Sequence, residues 1–156
     1  MHYTVDFKEK DAPEGIFNSL NDEKKADMAS RYPTTKLLEV FIVREMAARR
    51  RADPYPIIIN TTNPGLCKSE LGGGEHGLPF KIISFLFARS TEVGSRNLVY
   101  SASAGIESHG QYLDRCKIQE PATVITGATG MATQQRVWDE LMAKLEKIQP
   151  GIAGNL

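Results

Sequence analysis

The sequence predicts an α/β fold that is rich in helix and contains two or three short strands. Residues 55–60 read Tyr-Pro-Ile-Ile-Ile-Asn, and such a short β-branched run is typical of a strand buried on both faces of a parallel sheet. Residues 34–49 and 133–148 have helical patterns. The first is apolar on nearly every side and the second has one apolar stripe, so both helices are expected to pack on a core.

Length and composition are those of one soluble domain. The chain has 156 residues, of which 41% are hydrophobic and 24% charged, which is typical of a single globular domain. Its 19 basic and 19 acidic residues cancel, so no broad field attracts nucleic acid or an anionic membrane. No apolar run is long enough to span a bilayer, and the first ten residues contain no apolar signal-peptide core. We therefore expect a cytoplasmic protein without a nucleic-acid partner.

The two cysteines give no sign of a disulfide framework or a zinc site. Cys67 and Cys116 lie far apart and have neither C-x-x-C nor histidine spacing, which are the patterns that zinc sites and redox motifs show. We expect two reduced, buried thiols and no bound metal.

The N-terminal third divides into an arm and two helices. Residues 1–20 mix charges without a period and are predicted to form an arm, so that the folded part covers residues 21–150. Asn21 or Asp22 offers an N-cap for a first helix. Pro33 predicts a break two residues earlier, before the apolar helix begins.

The rest of the chain alternates loops, helices and short strands. The predicted elements after the first strand are a loop with four glycines at 66–78, helices at 79–89 and 91–104, strands at 109–113 and 123–126, and the amphipathic helix at 133–148. Gly105 ends the second of these helices. All of them are assigned to one domain, residues 1–156.

Two glycine-rich segments resemble dinucleotide-binding loops but lack their context. Residues 72–77 match G-x-G-x-x-G, and residues 124–130 lead through glycines into a helix. The fingerprint needs a preceding strand, a following helix and an acidic residue at the end of the next strand. The first segment has no such strands, and the second has no third glycine. We therefore expect no cofactor site built by this chain alone.

Candidate chemistry lies at Tyr32 and Lys36. The spacing Y-x-x-x-K places a phenol and an ammonium one turn apart on the same helix face. A nearby cation favours the phenolate, so such a pair can donate and accept protons near neutral pH. The motif is short and matches by chance in many proteins, so the surrounding sequence has to support it.

The order of the following segments supplies that support. The Y-x-x-x-K helix precedes a strand, the turn Asn63-Pro64-Gly65 and then Ser69. This order resembles the short-chain dehydrogenase/reductase family, whose Y-x-x-x-K helix is followed by a strand, a Pro-Gly turn and a Thr or Ser. The segments that begin at Ala88, Gly105 and Arg136 look like the C-terminal half of retinol-dehydrogenase-like members, particularly fungal ones. The resemblance runs from about residue 3 to residue 152.

The resemblance implies roles for several residues and a fold. Tyr32 is implied as the acid/base and Lys36 as its partner, while Pro64, Gly65 and Ser69 line the site together with Asn63. The implied fold is an incomplete Rossmann-like domain, because the family's nucleotide-binding half, its catalytic Ser and its helical Asn lie upstream of the Tyr. His76, in the glycine-rich loop that covers the substrate in the family, is a further catalytic candidate, although an exposed loop histidine is the simpler interpretation.

Three functions remain open at this point. The first is cofactor-independent acid/base chemistry, of isomerase, dehydratase or cyclase type, on a small hydrophobic carbonyl or enol of secondary metabolism. The second is an NAD(P)-dependent oxidoreductase whose nucleotide site comes from a partner chain. The third is a non-catalytic dimerisation module or a vestigial fragment. The apolar face of the 34–49 helix and an open sheet edge predict a homodimer that completes the fold.

Overall fold

The computed structural model describes residues 6–50, 57–68 and 85–155. In chain order the helices and strands are α1 (Ile16–Asn21), α2 (Met28–Arg49), β1 (Thr61–Asn63), α3 (Thr91–Ser103), β2 (Tyr112–Asp114), β3 (Lys117–Gln119), α4 (Thr123–Thr126) and α5 (Gly130–Ile148). Short 3-10 helices occur at Lys8–Asp11, Glu23–Lys25, Ile106–Ser108 and Ile152–Asn155. None of the helices in these ranges has both the length and the apolar character of a membrane span.

The three strands form one small mixed sheet in the order β1-β2-β3. β1 and β2 are parallel, with Thr61 opposite Tyr112 and Asn63 opposite Asp114, while β2 and β3 are antiparallel. A parallel pair requires a crossover connection, and here the connection contains α3. The predicted α/β class, rich in helix with few strands, is confirmed.

The turn between β2 and β3 is not predicted from the sequence. Arg115 and Cys116 both have a φ of +53°, and hairpins with two such residues usually contain Asn or Gly. The Asn97 side-chain oxygen, which lies on α3, accepts a hydrogen bond of 2.6 Å from the Cys116 N–H. This tertiary contact stabilises a turn that the local sequence does not indicate. Cys67 is half-buried and Cys116 is exposed, so the expectation of two buried thiols is wrong for Cys116.

The hydrophobic core gathers side chains from both ends of the described chain. Its buried members are Phe7, Ile16, Leu37, Leu38, Val40, Phe41, Tyr112, Ile125 and Val137. Phe7 and Ile16 belong to the segment predicted as an arm, and that prediction is wrong for residues 6–20. Arg136 on α5 donates 2.7 Å to the Lys10 carbonyl and also bonds the Ala12 carbonyl, so the segment is held by polar contacts as well.

Helix α2 runs unbroken through Pro33, against the predicted break. The Asp27 carboxylate caps its first turn by accepting from the N–H groups of Ala29 and Ser30, at 3.1 and 3.3 Å. Pro33 lacks the N–H that would bond the Ala29 carbonyl, so the proline removes one helical hydrogen bond near the start of the helix. The long apolar face that follows packs in the core and outweighs this loss.

The apolar face of α2 is covered by the chain's own core. Leu37, Leu38, Val40 and Phe41 are all buried within one chain, so they do not provide the exposed surface from which a dimer through this helix was inferred. The homodimer itself stays a prediction.

A buried polar network joins α2 to α5. Glu45 is 6% exposed; its carboxylate accepts 2.9 Å from the Gln134 amide and 2.8 Å from the Arg49 guanidinium. The Gln134 carbonyl accepts in turn from Arg44, at 3.2 Å. Buried polar groups are stable only when paired, so this network fixes the position of α2 along α5.

Two predicted strands differ from the observed elements. The first strand was predicted at 55–60, but the strand that pairs with β2 begins at Thr61. Ile57 and Ile58, which were expected in a strand buried on both faces, are 52% and 40% exposed. Residues 55 and 56 lie outside the described residues. Residues 123–126 form the single helical turn α4 rather than a strand, with the Ala122 carbonyl accepting from Ile125 at 2.8 Å. Short apolar runs do not distinguish helix from strand by periodicity.

Two helices are confirmed close to their predicted bounds. α3 was predicted at 91–104 and spans Thr91–Ser103, capped by the Ser90 hydroxyl, which accepts from the Val93 N–H at 3.2 Å. α5 was predicted at 133–148 and begins three residues earlier.

Candidate active site

Tyr32 and Lys36 lie one turn apart on the N-terminal half of α2, as the motif predicts. The Lys36 ammonium nitrogen is 5.7 Å from the centre of the Tyr32 ring. Tyr32 is 49% exposed, so its phenol is accessible from solvent. The helix backbone alone brings the two groups together, because residues four apart share a helix face.

Glu39 is a third member of this group, and the sequence analysis did not predict it. The Lys36 ammonium donates to both Glu39 carboxylate oxygens, at 2.8 and 3.0 Å. These hydrogen bonds are the main cause of a raised pKa of Lys36; burial opposes the rise, and the charge of Glu39 and then Tyr32 add to it. The ammonium therefore stays charged at neutral pH, with hydrogen bonds to the Glu39 carboxylate and a position over the Tyr32 ring. The i,i+3 spacing of Lys36 and Glu39 was the available signal.

The turn Asn63-Pro64-Gly65 follows β1 and is built from internal hydrogen bonds. The Asn63 side-chain oxygen accepts 3.1 Å from the Gly65 N–H, and the Asn63 carbonyl accepts 2.6 Å from the Asn97 amide on α3. Gly65 has a φ of +80°, a conformation that favours glycine. The turn is therefore held rigidly at the carboxyl end of β1.

The structure does not bring all the candidate residues together. Among the described residues, no hydrogen bond or ring contact joins Tyr32 or Lys36 to the turn at Asn63, Pro64 and Gly65. Ser69 and His76 lie outside the described residues, so their predicted roles stay predictions.

The segment 124–130 does not form a phosphate-binding loop. Its N-terminal part is helix α4, and the Gly127 N–H donates to the Thr123 carbonyl at 2.7 Å. A Cβ at Gly130 would overlap the Ile125 carbonyl oxygen, so this glycine allows the chain to pack on itself and leaves no cradle for a ligand. A dinucleotide diphosphate needs free N–H groups at such a loop, and this segment does not fit one. The segment 72–77 lies outside the described residues.

The described residues also bring together no three His, Cys, Asp or Glu side chains that could hold a metal ion. What they do assemble is a phenol, an ammonium and a carboxylate on one exposed helix face. This arrangement suits proton transfer to a bound oxygen atom.

Comparison with known proteins identifies the family. A short chain dehydrogenase/reductase of Cryptosporiopsis sp. is 46% identical over 158 residues, which cover 99% of this chain and 49% of the relative. A short-chain dehydrogenase of Penicillium roqueforti is 38% identical over 148 residues, covering 89% of this chain and 39% of the relative. A short-chain dehydrogenase/reductase of Phaeosphaeria nodorum is 32% identical over 136 residues, with shares of 85% and 39%.

No family model matches the chain, and no solved structure matches it. The chain spans about half the length, or less, of the curated relatives it matches. The resemblance to short-chain dehydrogenase/reductases, predicted from about residue 3 to residue 152, is nevertheless confirmed by fungal relatives along nearly the whole chain. The chain belongs to the short-chain dehydrogenase/reductase family.

Proposed function

We propose that this chain carries out the acid/base step of short-chain dehydrogenase chemistry on a small hydrophobic carbonyl, alcohol or enol. Tyr32 transfers a proton to or from the substrate oxygen, and the Lys36 ammonium stabilises the negative charge that develops on the phenol. The observation that carries the proposal is the placement of the ammonium 5.7 Å from the ring of a half-exposed tyrosine.

The proton step follows from the chemistry of the two groups. When the Tyr32 O–H bond breaks, a bond forms between that proton and the substrate oxygen, and the phenolate that remains is favoured by the adjacent cation. Positioned general acids and bases accelerate reactions by about 100-fold to 10,000-fold. Glu39 holds the ammonium in place but also competes with the phenolate for its charge.

Two net reactions are consistent with this step. In the first reaction, that of an oxidoreductase, the proton transfer accompanies hydride transfer to or from a nicotinamide dinucleotide. A partner chain, or residues outside the described part of this chain, would hold that dinucleotide. The three relatives described above, all named as short-chain dehydrogenases or reductases, favour it. In the second reaction, that of an isomerase, dehydratase or cyclase, no hydride moves. The Tyr32–Lys36 pair favours this second reaction, because it is assembled within one helix and needs no nucleotide to form.

The test is a panel of hydrophobic cyclic ketones and β-diketones in deuterated buffer, with and without NADPH. Exchange of the hydrogens beside the carbonyl is followed by NMR, and reduction by the loss of NADPH absorbance. We expect Tyr32→Phe to lower the rate by about 100-fold or more, whichever reaction is observed. Reaction that requires NADPH assigns the oxidoreductase, and exchange without NADPH assigns the second reaction.

The matched control is Tyr100→Phe, which removes the hydroxyl of a tyrosine on α3. It should leave both rates unchanged. Full turnover by Tyr32→Phe would exclude Tyr32 as the acid/base, and a lack of hydrogen exchange with every compound of the panel would contradict the cofactor-independent reaction.

A further inference from the structure

Both cysteines lie just beyond the ends of neighbouring strands. Asn63, the last residue of β1, is in register with Asp114, the last residue of β2. Cys67 follows the first by four residues and Cys116 follows the second by two. Paired strands are separated by about 4.8 Å, and β1 and β2 are parallel, so both thiols are carried to the same edge of the sheet.

The two sulfur atoms meet the same face of helix α3. The Cys67 sulfur packs on Gly94, where an added Cβ would overlap it. The Cys116 sulfur is 3.2 Å from the side-chain oxygen of Asn97. Gly94 and Asn97 are three residues apart, and such positions are neighbours on a helix surface, with about 5–6 Å between their Cβ positions.

Asn97 ties the two cysteine-bearing segments to each other. Its amide nitrogen donates 2.6 Å to the Asn63 carbonyl, and its oxygen accepts 2.6 Å from the Cys116 N–H. Asn97 is 3% exposed, so these bonds are shielded from water and hold the segments in a fixed relation. The Cys67 thiol donates to the Pro64 carbonyl at 3.4 Å, within the same turn.

We propose that Cys67 and Cys116 form a reversible redox pair, in which a peroxide converts the two thiols into an intramolecular disulfide. Cys116 is exposed and Cys67 is half-buried, which assigns the first step to Cys116. Its thiolate attacks one oxygen of hydrogen peroxide, the O–O bond breaks, and a sulfenic acid and water form. The Cys67 thiolate then attacks the sulfenic sulfur, and the hydroxyl leaves as a second water. Two thiols and one peroxide thus give one disulfide and two waters.

The disulfide links the turn at Asn63, Pro64 and Gly65 to the β2–β3 hairpin. The turn is then held by a covalent bond in addition to the Asn97 hydrogen bonds, so its backbone opens less often. This inference is independent of the proposed function, because it rests on the strand register and on the contacts of α3.

The experiment treats the full reduced chain with one equivalent of hydrogen peroxide and measures intact mass and tryptic peptides without reductant. We expect a loss of two hydrogen atoms per chain and a cross-linked peptide pair containing Cys67 and Cys116. Dithiothreitol should restore both thiols, and hydrogen exchange of residues 61–68 should slow in the oxidised chain.

The control repeats the oxidation in glutathione buffers, with the chain native and in urea. The quantity compared is the ratio of intramolecular disulfide to mixed glutathione disulfides. Because native contacts hold the two cysteines together, this ratio should be at least about tenfold higher in the native chain than in urea. Cys67→Ser should leave Cys116 as a sulfenic acid or a mixed disulfide. A Cys116–Cys116 disulfide between chains as the main product, over-oxidation of Cys116 beside a free Cys67, or equal ratios in the two solvents would each overturn the proposal.

Discussion

Two faces of helix α2 have opposite environments. One face places Phe41 in the core at 0% exposure and Glu45 in a buried hydrogen-bond network with α5. The other face carries Tyr32, Lys36 and Glu39, which are exposed and contact each other. One helix thus carries both a packing surface of the fold and the candidate chemistry, on different faces.

Stability and activity should therefore be separable in this chain. Burial makes the core-facing side of α2 sensitive to the loss of single atoms, because a packed core relaxes only partially around a cavity. Exposure makes the opposite side energetically tolerant, since surface ion pairs contribute little to folding. Substitutions on the two faces should have different consequences.

The largest effect is expected for Phe41→Ala. The substitution leaves a cavity between α2 and the other core elements and should lower the free energy of unfolding by about 3–5 kcal/mol. Urea denaturation followed by circular dichroism measures it. Met28→Ala, which truncates a side chain that is 74% exposed on the same helix, is the control and should change stability by less than about 0.5 kcal/mol. Equal losses in both variants would contradict the contrast between the buried and the exposed face of α2.

A smaller effect is expected for Glu45→Ala. Without the carboxylate, the Gln134 amide and the Arg49 guanidinium lose a buried acceptor, which should lower the free energy of unfolding by about 1–3 kcal/mol.

The control is Asp139→Ala, because Asp139 is the exposed carboxylate that lies 3.6 Å from the same Arg49. Loss of this pair should cost less than about 0.5 kcal/mol. If removing Asp139 destabilises the chain as much as removing Glu45, burial is not what gives the network its strength.

Glu39→Gln tests the exposed face of α2 and should change the free energy of unfolding by no more than about 0.5 kcal/mol. It should also return the pKa of Lys36 toward its ordinary value, because the partner that raises it is gone. Since the pKa of Lys36 is raised in the folded state, the Lys36–Glu39 pair stabilises the fold fully below pH 10.5. This small stabilisation is lost as the pH rises through the folded-state pKa of Lys36. NMR titration of the Lys36 side chain measures the shift.

Glu92→Gln is the control for this titration, since it removes the carboxylate of the exposed Arg96 pair on α3. An unchanged Lys36 titration in Glu39→Gln, or an equal change in the control, would show that Glu39 does not hold the ammonium in solution.

The smallest effect is expected at acidic pH, where the Asp27 cap of helix α2 becomes protonated. Hydrogen bonds from Ser30, and then from the Ala29 N–H, hold the pKa of Asp27 below 3.8. The stability that the ionised Asp27 cap contributes is therefore fully present above pH 3.8. It is lost as the pH falls through the lower pKa that Asp27 has in the folded state. Asp27→Asn keeps the capping oxygen and does not titrate. The difference in Tm between wild type and this variant should shrink over that acidic range, and a constant difference would contradict the assigned cap.

Prediction from the sequence is most accurate where residues within or next to one helix determine its bounds. Ser90 caps α3, and the stripe of Val137 and Leu141 defines the packed face of α5, so both helices are found close to their predicted bounds. The Tyr32–Lys36 contact is predictable for the same reason, because both residues lie on a single helix. Glu39 was within reach of the same spacing argument.

Prediction from the sequence is wrong where the local structure depends on contacts with residues far away in the chain. Phe7 and Ile16 read as part of an arm because the core that buries them comes from α2 and α5. The hairpin at Arg115 and Cys116 depends on Asn97, which lies on another element. The run at 57–60 has strand-forming residues, but the ladder between β1 and β2 begins only at Thr61, whose N–H donates to the Gln111 carbonyl at 3.0 Å.

The joint action of Tyr32 and Lys36 is tested by the pH profile of turnover for wild type and Lys36→Ala, with a reactive ketone from the panel. Removing the ammonium removes the charge that favours the phenolate, so we expect a pH optimum shifted upward in Lys36→Ala and unchanged in the surface control Lys24→Ala. Urea denaturation should show that both variants keep wild-type stability to within about 0.5 kcal/mol. An unmoved pH optimum in Lys36→Ala would show that Tyr32 and Lys36 do not act as one proton-transfer pair.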